Sequence, residues 1–188
     1  MNSTTIIIIA VVALILLIAI YIGATYNAFI RKRNSVDEAF ATMDVYLKKR
    51  WDLIPNLVST VKGYAKHEAE TLEKVIAARN GGYNNLSDEE KIEANKEISK
   101  GIASINVVAE QYPDLKANQN FMNLQNQLNS TENDIANARK FYNAVVKLYN
   151  NKVQMFPSSI IASMFNFKAK QMFAVENTAE REAVKVEF

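Results

Sequence analysis

The chain has 188 residues, no cysteine and a formal net charge of +2, enough for one domain with an appendage. That near balance excludes the basic footprint of a nucleic-acid binder, and the missing cysteines exclude a disulfide framework and a thiolate metal site. The apolar residues are unevenly placed: Ile6 to Ile22 holds only Ile, Val, Leu, Ala and Tyr21, and no charged side chain precedes Arg31.

The first element is a transmembrane helix, Ile6 to Ala24. About 20 residues without charge, at roughly 1.5 Å each, match the hydrocarbon thickness of a bilayer. Tyr21 and Tyr26 stand near one end, where amphipathic rings favour the interface. A cleaved signal peptide is the rival reading, but "MNSTT" lacks the positive side chains of an n-region and "IGATYNA" is a weak cleavage site. Arg31, Lys32 and Arg33 follow the apolar run closely. The positive-inside rule therefore places the N-terminus outside and residues 25–188 in the cytoplasm. The basic clusters 31–33 and 48–50 are candidates for contact with anionic lipid.

The next helix is expected from about Ser35 to Asn80. Phe40, Leu47, Ile54 and Val61 are spaced by seven, and Met43, Arg50, Leu57 and Tyr64 form the interleaved row. This is an a/d-type seam with an arginine in it. Pro55 interrupts it, but the phase is the same on both sides, so the spacing predicts a kinked, continuous helix and not a hairpin. Arg50 either snorkels to water or meets a buried carboxylate, and Glu132 and Asp134 flank the facing seam. His67, the only histidine, has Glu68 and Glu70 beside it. An acid–base pair or metal bridge is the sharper reading there. A solvated charged face is the simpler one, since no second histidine and no cysteine complete a metal site.

"NGGYNN" ends the helix, with Gly81 suited to a left-handed cap. Ser87 and Glu90 have capping-box spacing and open a helix with Ile92, Ile98, Ile102, Ile105, Ala109 and Tyr112 on one face, stopped by Pro113. The clearest helical signal runs from Ala117 to about Gln154, roughly 55 Å. Phe121, Leu128, Ile135, Tyr142, Tyr149 and Phe156 repeat by seven, and Leu124, Thr131, Ala138 and Val145 form a second row. The amide-rich "NQNFMNLQNQLNSTEN" within it reads as a solvated face or a polar-zipper contact. After Pro157, Ile160, Ile161, Met164, Phe165 and Met172 share a helical face, which is expected to pack as a fourth helix. Phe167 lies off that face, beside Lys168 and Lys170. It is expected to meet a neighbouring subunit at a bundle end far from the anchor. A polar tail, 176–188, closes the chain.

The stretches "MDVYLKKRWDLIPNLVSTVKGYAKHEAETLEKVIAARN", "YPDLKANQNFMNLQNQLNSTENDIANARKFYNAVVKLYN", "FPSSIIASMFNF" and the terminal "VKVEF" resemble the LemA family of bacterial membrane proteins. Least similar is "GGYNNLSDEEKIEANKEISKGIASI". The resemblance implies an all-α protein of the bacterial inner membrane: one N-terminal transmembrane helix, then an elongated up-and-down antiparallel bundle of four-helix type. The layout is residues 1–5 outside, 6–24 in the membrane, 25–34 juxtamembrane, 35–175 bundle and 176–188 tail. It supplies no catalytic residue, cofactor or metal ligand. Some family members are tied to membrane-embedded zinc metalloproteases of the HtpX type, and a magnetosome branch points to membrane organisation.

The expected function is a membrane-anchored scaffold or adaptor and not an enzyme. It would self-assemble or hold such a protease, with Arg50 and Phe167 as candidate contacts, the bilayer as partner and no nucleic acid. The alternatives are a sensor with a small-molecule pocket between helices and a hydrolase using His67 and its carboxylates.

Overall fold

The computed structural model of the protein describes residues 2–77, 79 and 82–173. Gly81 and the tail 176–188 lie outside the described residues. All the regular structure among the described residues is helical: α1 Ser3–Tyr64, α2 Ala69–Ala77, a 3-10 turn Tyr83–Asn85, α3 Asp88–Gln111, α4 Pro113–Lys116, α5 Gln119–Gln154 and α6 Ser158–Met164. The chain divides into two compact units. Unit 1 is Met1–Ala39 with Tyr142–Met172, and unit 2 is Phe40–Phe141 with Phe173–Phe188.

Helix α1 runs without a break from the apolar segment through Pro55. A mid-helix proline costs about 3 kcal/mol. Leu57, Val58 and Val61 beyond it are nevertheless buried, as are Leu47 and Ile54 before it. Each such side chain gains about 1.5–3 kcal/mol on burial, so keeping the seam in phase outweighs the proline. Tyr64 departs from the seam: it is exposed, and its hydroxyl accepts from the Asn118 side chain at 2.8 Å.

The helix expected to reach Asn80 instead stops at Tyr64 and turns through 65–68. This turn lets Leu72 and Val75 of α2 bury themselves, and α2 packs on α3. The approach is close because Gly101 has no side chain: a Cβ there would sit 3.1 and 3.2 Å from the two Val75 methyls. We predict that Gly101→Leu destabilises the protein by about 2 kcal/mol through overpacking. Gly101→Ala should be near neutral, because about 1 kcal/mol of helix propensity offsets the tight contact. Urea unfolding followed by the single tryptophan, Trp51, measures both. A leucine variant as stable as the parent would refute the close approach.

Helix α3 opens with the expected capping box. The Ser87 N–H donates to Glu90 Oε2 at 2.7 Å and the Glu90 N–H to Ser87 Oγ at 3.3 Å. The Ser87 backbone bond holds the Glu90 carboxyl below its usual range. Of the six residues on the expected face, all but Tyr112 are buried, and Asn95 and Val108 join them. Asn118 caps α5 by accepting from the Phe121 N–H at 3.0 Å. The first α5 row is buried at 121, 128, 135, 142 and 149, but in the second row only Thr131 is buried. Near the end of α5 Val146, not Val145, turns inward.

Within unit 1 the chain leaves α5 through a turn at 155–157, whose Phe156–Pro157 peptide is cis. Ser158 Oγ donates to the Lys152 and Met155 carbonyls. The expected fourth helix is only seven residues, α6. Asn166 takes a left-handed conformation, φ 56°. The Phe167 N–H then returns to the Ala162 carbonyl at 2.8 Å and the Asn166 N–H to the Ser163 carbonyl at 3.3 Å. Those two bonds satisfy the last carbonyls and end the helix. Residues 167–172 continue as a non-helical strap. It is tied to α5 by the Lys170 N–H and C=O, both 2.8 Å from the Asn150 amide, and by the Tyr142 hydroxyl donating to the Gln171 carbonyl at 3.0 Å.

Candidate functional site

Unit 2 contains a buried arginine cluster. Arg50 occupies a seam position of α1 between Met43 and Leu57, which are buried themselves, so its guanidinium can only point inward. It is 1% exposed. Nη1 donates to Glu132 Oε1 of α5 at 2.6 Å and to Ser99 Oγ of α3 at 3.2 Å. Nη2 donates to the Asn95 backbone carbonyl at 2.8 Å and to the Asn95 side-chain oxygen. Ser99 Oγ in turn donates to the Asn95 carbonyl at 3.1 Å. One side chain therefore ties α1, α3 and α5 together. A planar fork with five donors serves this purpose where a single ammonium would not. The cluster opens on a cleft of about 260 Å3 that also involves Asn133 and Arg139.

Of the two sequence readings of Arg50, pairing is what the structure contains, with Glu132 and not Asp134. The carboxylate is only partly covered, 39% exposed, so it is not the buried anion anticipated. Arg50, expected as a candidate contact for another chain, is turned by the seam into its own unit. Asn95 and Ser99 were not anticipated. A signal was available, because Asn95 lies three residues from both Ile92 and Ile98, and a polar residue in an apolar seam usually faces another one.

A second cluster lies between α1 and the 3-10 turn. The Tyr83 hydroxyl donates to the Asp44 carboxylate, and Lys91 Nζ is 2.9 Å from the other Asp44 oxygen. Burial, then the bond to Asp44, pushes the Tyr83 phenol far above its usual range. Tyr83 packs edge-on to Trp51 at 5.3 Å, Arg79 lies 5.3 Å from the Trp51 ring, and Lys91 lies 5.1 Å from the Tyr83 ring. The 48–50 basic cluster is split: Lys48 pairs with Asp52 while Arg50 turns inside.

His67 lies exposed in the turn between α1 and α2, so it does not share a helix with Glu70. No group of three His, Cys, Asp or Glu side chains that could hold a metal occurs among the described residues. A larger cleft, about 520 Å3, is lined by Asn106, Phe121, Met122, Gln125 and neighbours from α3 and α5. Across it Gln125 donates to Asn106 at 3.0 Å, so part of the amide-rich stretch bonds within its own unit.

Phe167 also packs within its own unit. It is 9% exposed, stacked on Phe29 of α1 at 4.7 Å, 5.7 Å from Tyr26 and beneath the Arg33 guanidinium at 6.0 Å. The ring is used inside unit 1, right beside the apolar run and not far from it. Of the face expected to be covered, Ile161 is buried, whereas Ile160, Met164, Phe165 and Met172 are exposed.

Helix α1 carries the one segment among the described residues long and apolar enough to cross a membrane. The chain is 25% identical over 144 residues to Protein LemA of Metamycoplasma hominis, an alignment covering 76% of this chain and 65% of that relative. It thus spans somewhat under two thirds of the length of that relative. Residues 39–188 match the sequence profile of the LemA family. With that match covering most of its length, and an apolar N-terminal helix that fits a membrane-anchored helical protein, the chain belongs to the LemA family.

Proposed function

We propose that this protein is a membrane-anchored helical scaffold or adaptor, without an enzymatic activity of its own. In this reading it assembles with further copies of itself or holds a membrane partner such as an HtpX-type metalloprotease. The observation that supports this most is the continuity of α1. The apolar segment and the first helix of the family domain, which begins at residue 39, belong to a single helix with no linker between them. A domain so tethered meets its partners at raised local concentration, which favours weak side-by-side contacts. The Arg50 tie fits the same role, since it fixes three helices and engages both terminal nitrogens of the guanidinium within its own unit.

Size measurement of the full chain in detergent, with mass spectrometry of what co-purifies, tests the reading. A mass that is a multiple of 21.2 kDa, or a stoichiometric membrane protein, is expected. A monomer at every concentration with nothing bound would reject it. The sensor alternative draws support from the 520 Å3 cleft. Thermal stabilisation by a metabolite, abolished by Phe121→Ala, would favour it.

The same reading places the family domain in the cytoplasm, because Arg31, Lys32 and Arg33 follow the apolar run. Protease added to intact cells should leave residues 35–175 uncut. Cleavage of that region from outside would reverse the orientation.

A further inference from the structure

Unit 1 exposes an apolar cluster that its own packing does not use. Phe156 is 80% exposed, and Met155, Ile160 and Met164 are exposed with it. Ile160 and Met164, four residues apart, share one side of α6, and Phe156 is exposed in the turn that leads into it. From Met155 to Phe167 there is no charged side chain.

The contacts of unit 1 fix the level of this cluster along α1. The strap meets α1 in order: Phe165 at Tyr26 (4.8 Å), Phe167 at Phe29 and Arg33, and Lys170 at Asp37 (3.3 Å). Along α5 it meets Asn150 and then Tyr142. Helices α1 and α5 are therefore antiparallel here, and α5 descends towards the apolar run. Tyr149 lies 6.4 Å from Phe29. Gln154, the last residue of α5, is about 7 Å further down at 1.5 Å per residue, which brings the 155–157 turn close to the end of the apolar run. The cover of α1 begins at that height: residues 2–21 are all exposed, Ile22 is half-buried and Thr25 is buried. Charge agrees with the placement. Unit 1 carries seven Lys and Arg side chains against only Asp37 and Glu38. Arg33 and Lys152 lie over the Phe167 and Phe29 rings, at 6.0 and 5.3 Å.

The geometry points to a second membrane contact: the 155–157 turn and α6 dip into the bilayer beside the transmembrane helix, with Phe156, Ile160 and Met164 in the acyl boundary and the basic side chains above them at anionic headgroups. This rests on the anchoring reading of α1. An apolar face beneath a basic rim is what interfacial insertion requires, to a depth of about 5–10 Å. The contact would hold the turn between α5 and α6 at the surface, so that the domain is fixed to the membrane at two points and not one.

Because the chain has no cysteine, single probes can be placed in the full-length protein. Leu16→Cys, Asn34→Cys and Ser163→Cys, each carrying an environment-sensitive fluorophore, are reconstituted in phosphatidylcholine–phosphatidylglycerol vesicles with nitroxide-labelled lipid. The Ser163 probe should be blue-shifted and lose fluorescence most to a nitroxide near the headgroups. The Leu16 probe should lose it most to one deep in the chains, and the Asn34 probe should be little affected. Adding Phe156→Ser, Ile160→Ser and Met164→Ser should remove quenching at 163 and leave it at 16. A quenched Leu16 probe with an unquenched Ser163 probe overturns the inference and spares the anchor. A blue-shifted but unquenched Ser163 probe means that a protein, a second copy included, covers the cluster, and also overturns it. An unquenched Leu16 probe overturns the anchoring reading and this inference with it.

Discussion

Replacing Arg50 by alanine should lower the thermal midpoint of the full chain in detergent by about 10 °C. The ion pair with Glu132 is not the main reason. Glu132 is 39% exposed and can return to water, so solvent screening reduces the pair to about 1 kcal/mol or less. Two other effects dominate. The Asn95 carbonyl and side-chain oxygen lose their donor in a buried place, and removing a large buried side chain leaves a void in the seam. Unsatisfied buried acceptors cost about 1–3 kcal/mol, and a core truncation adds to that. A total of about 3 kcal/mol at 2–4 °C per kcal/mol gives the stated shift for a chain of this size. Arg50→Lys should recover only part of it, since one ammonium cannot serve acceptors on two helices. Glu132→Gln should cost about 1 kcal/mol, because the amide oxygen still accepts. A shift under about 3 °C for Arg50→Ala would mean that the cluster does not tie the three helices.

Phe167→Asp should release the strap of unit 1. The ring is buried against Phe29 and Tyr26. Truncating a buried Phe costs about 3–5 kcal/mol, and stacking contributes about 0.5–1.5 beyond area burial. An aspartate adds a desolvated charge, although Arg33 nearby relieves part of it. The polar ties from Asn150 and Tyr142 are too few to hold residues 167–172 against that loss, so the segment should detach locally while unit 2 stays folded. Trypsin should then cut after Lys168 and Lys170 far faster than in the parent, with little change in the Trp51 unfolding transition. Unchanged cleavage would show that Phe167 does not anchor the strap. Phe167→Leu, which keeps most of the apolar volume, should lie close to the parent.

Membrane anchoring and the fate of Phe167 are connected. A phenylalanine beside two lysines near a chain end reads as free for a neighbouring subunit only if the bundle end is remote from the anchor. The antiparallel return of α5 puts it next to Tyr26 and Phe29 instead. Phe156, with Ile160 and Met164, remains exposed in unit 1.

Much was legible in the sequence alone, because one-dimensional patterns report local physics. The charge-free run identified the membrane-length helix. Seven-residue spacing identified the buried rows Phe40–Leu47–Ile54–Val61 and Phe121–Leu128–Ile135–Tyr142–Tyr149, and matched phase across Pro55 predicted the unbroken helix. Ser87 with Glu90 predicted a cap that needs only adjacent residues. Three things were decided by tertiary packing. The chain turned at 65–68 because Leu72 and Val75 gain more by burial against Gly101 than the helix gains by continuing. Arg50 found Asn95, Ser99 and Glu132, partners 45 to 82 residues away; the seams offered Glu132 and Asp134 alike, and only packing chose Glu132 and brought Asn95 and Ser99 to the same guanidinium. Asn166 ended α6 early, because a left-handed cap satisfied its last carbonyls and let Phe167 reach Phe29. Periodicity gives the face that a continuous helix would bury, but where the helix stops is settled by which side chain has an apolar pocket to enter.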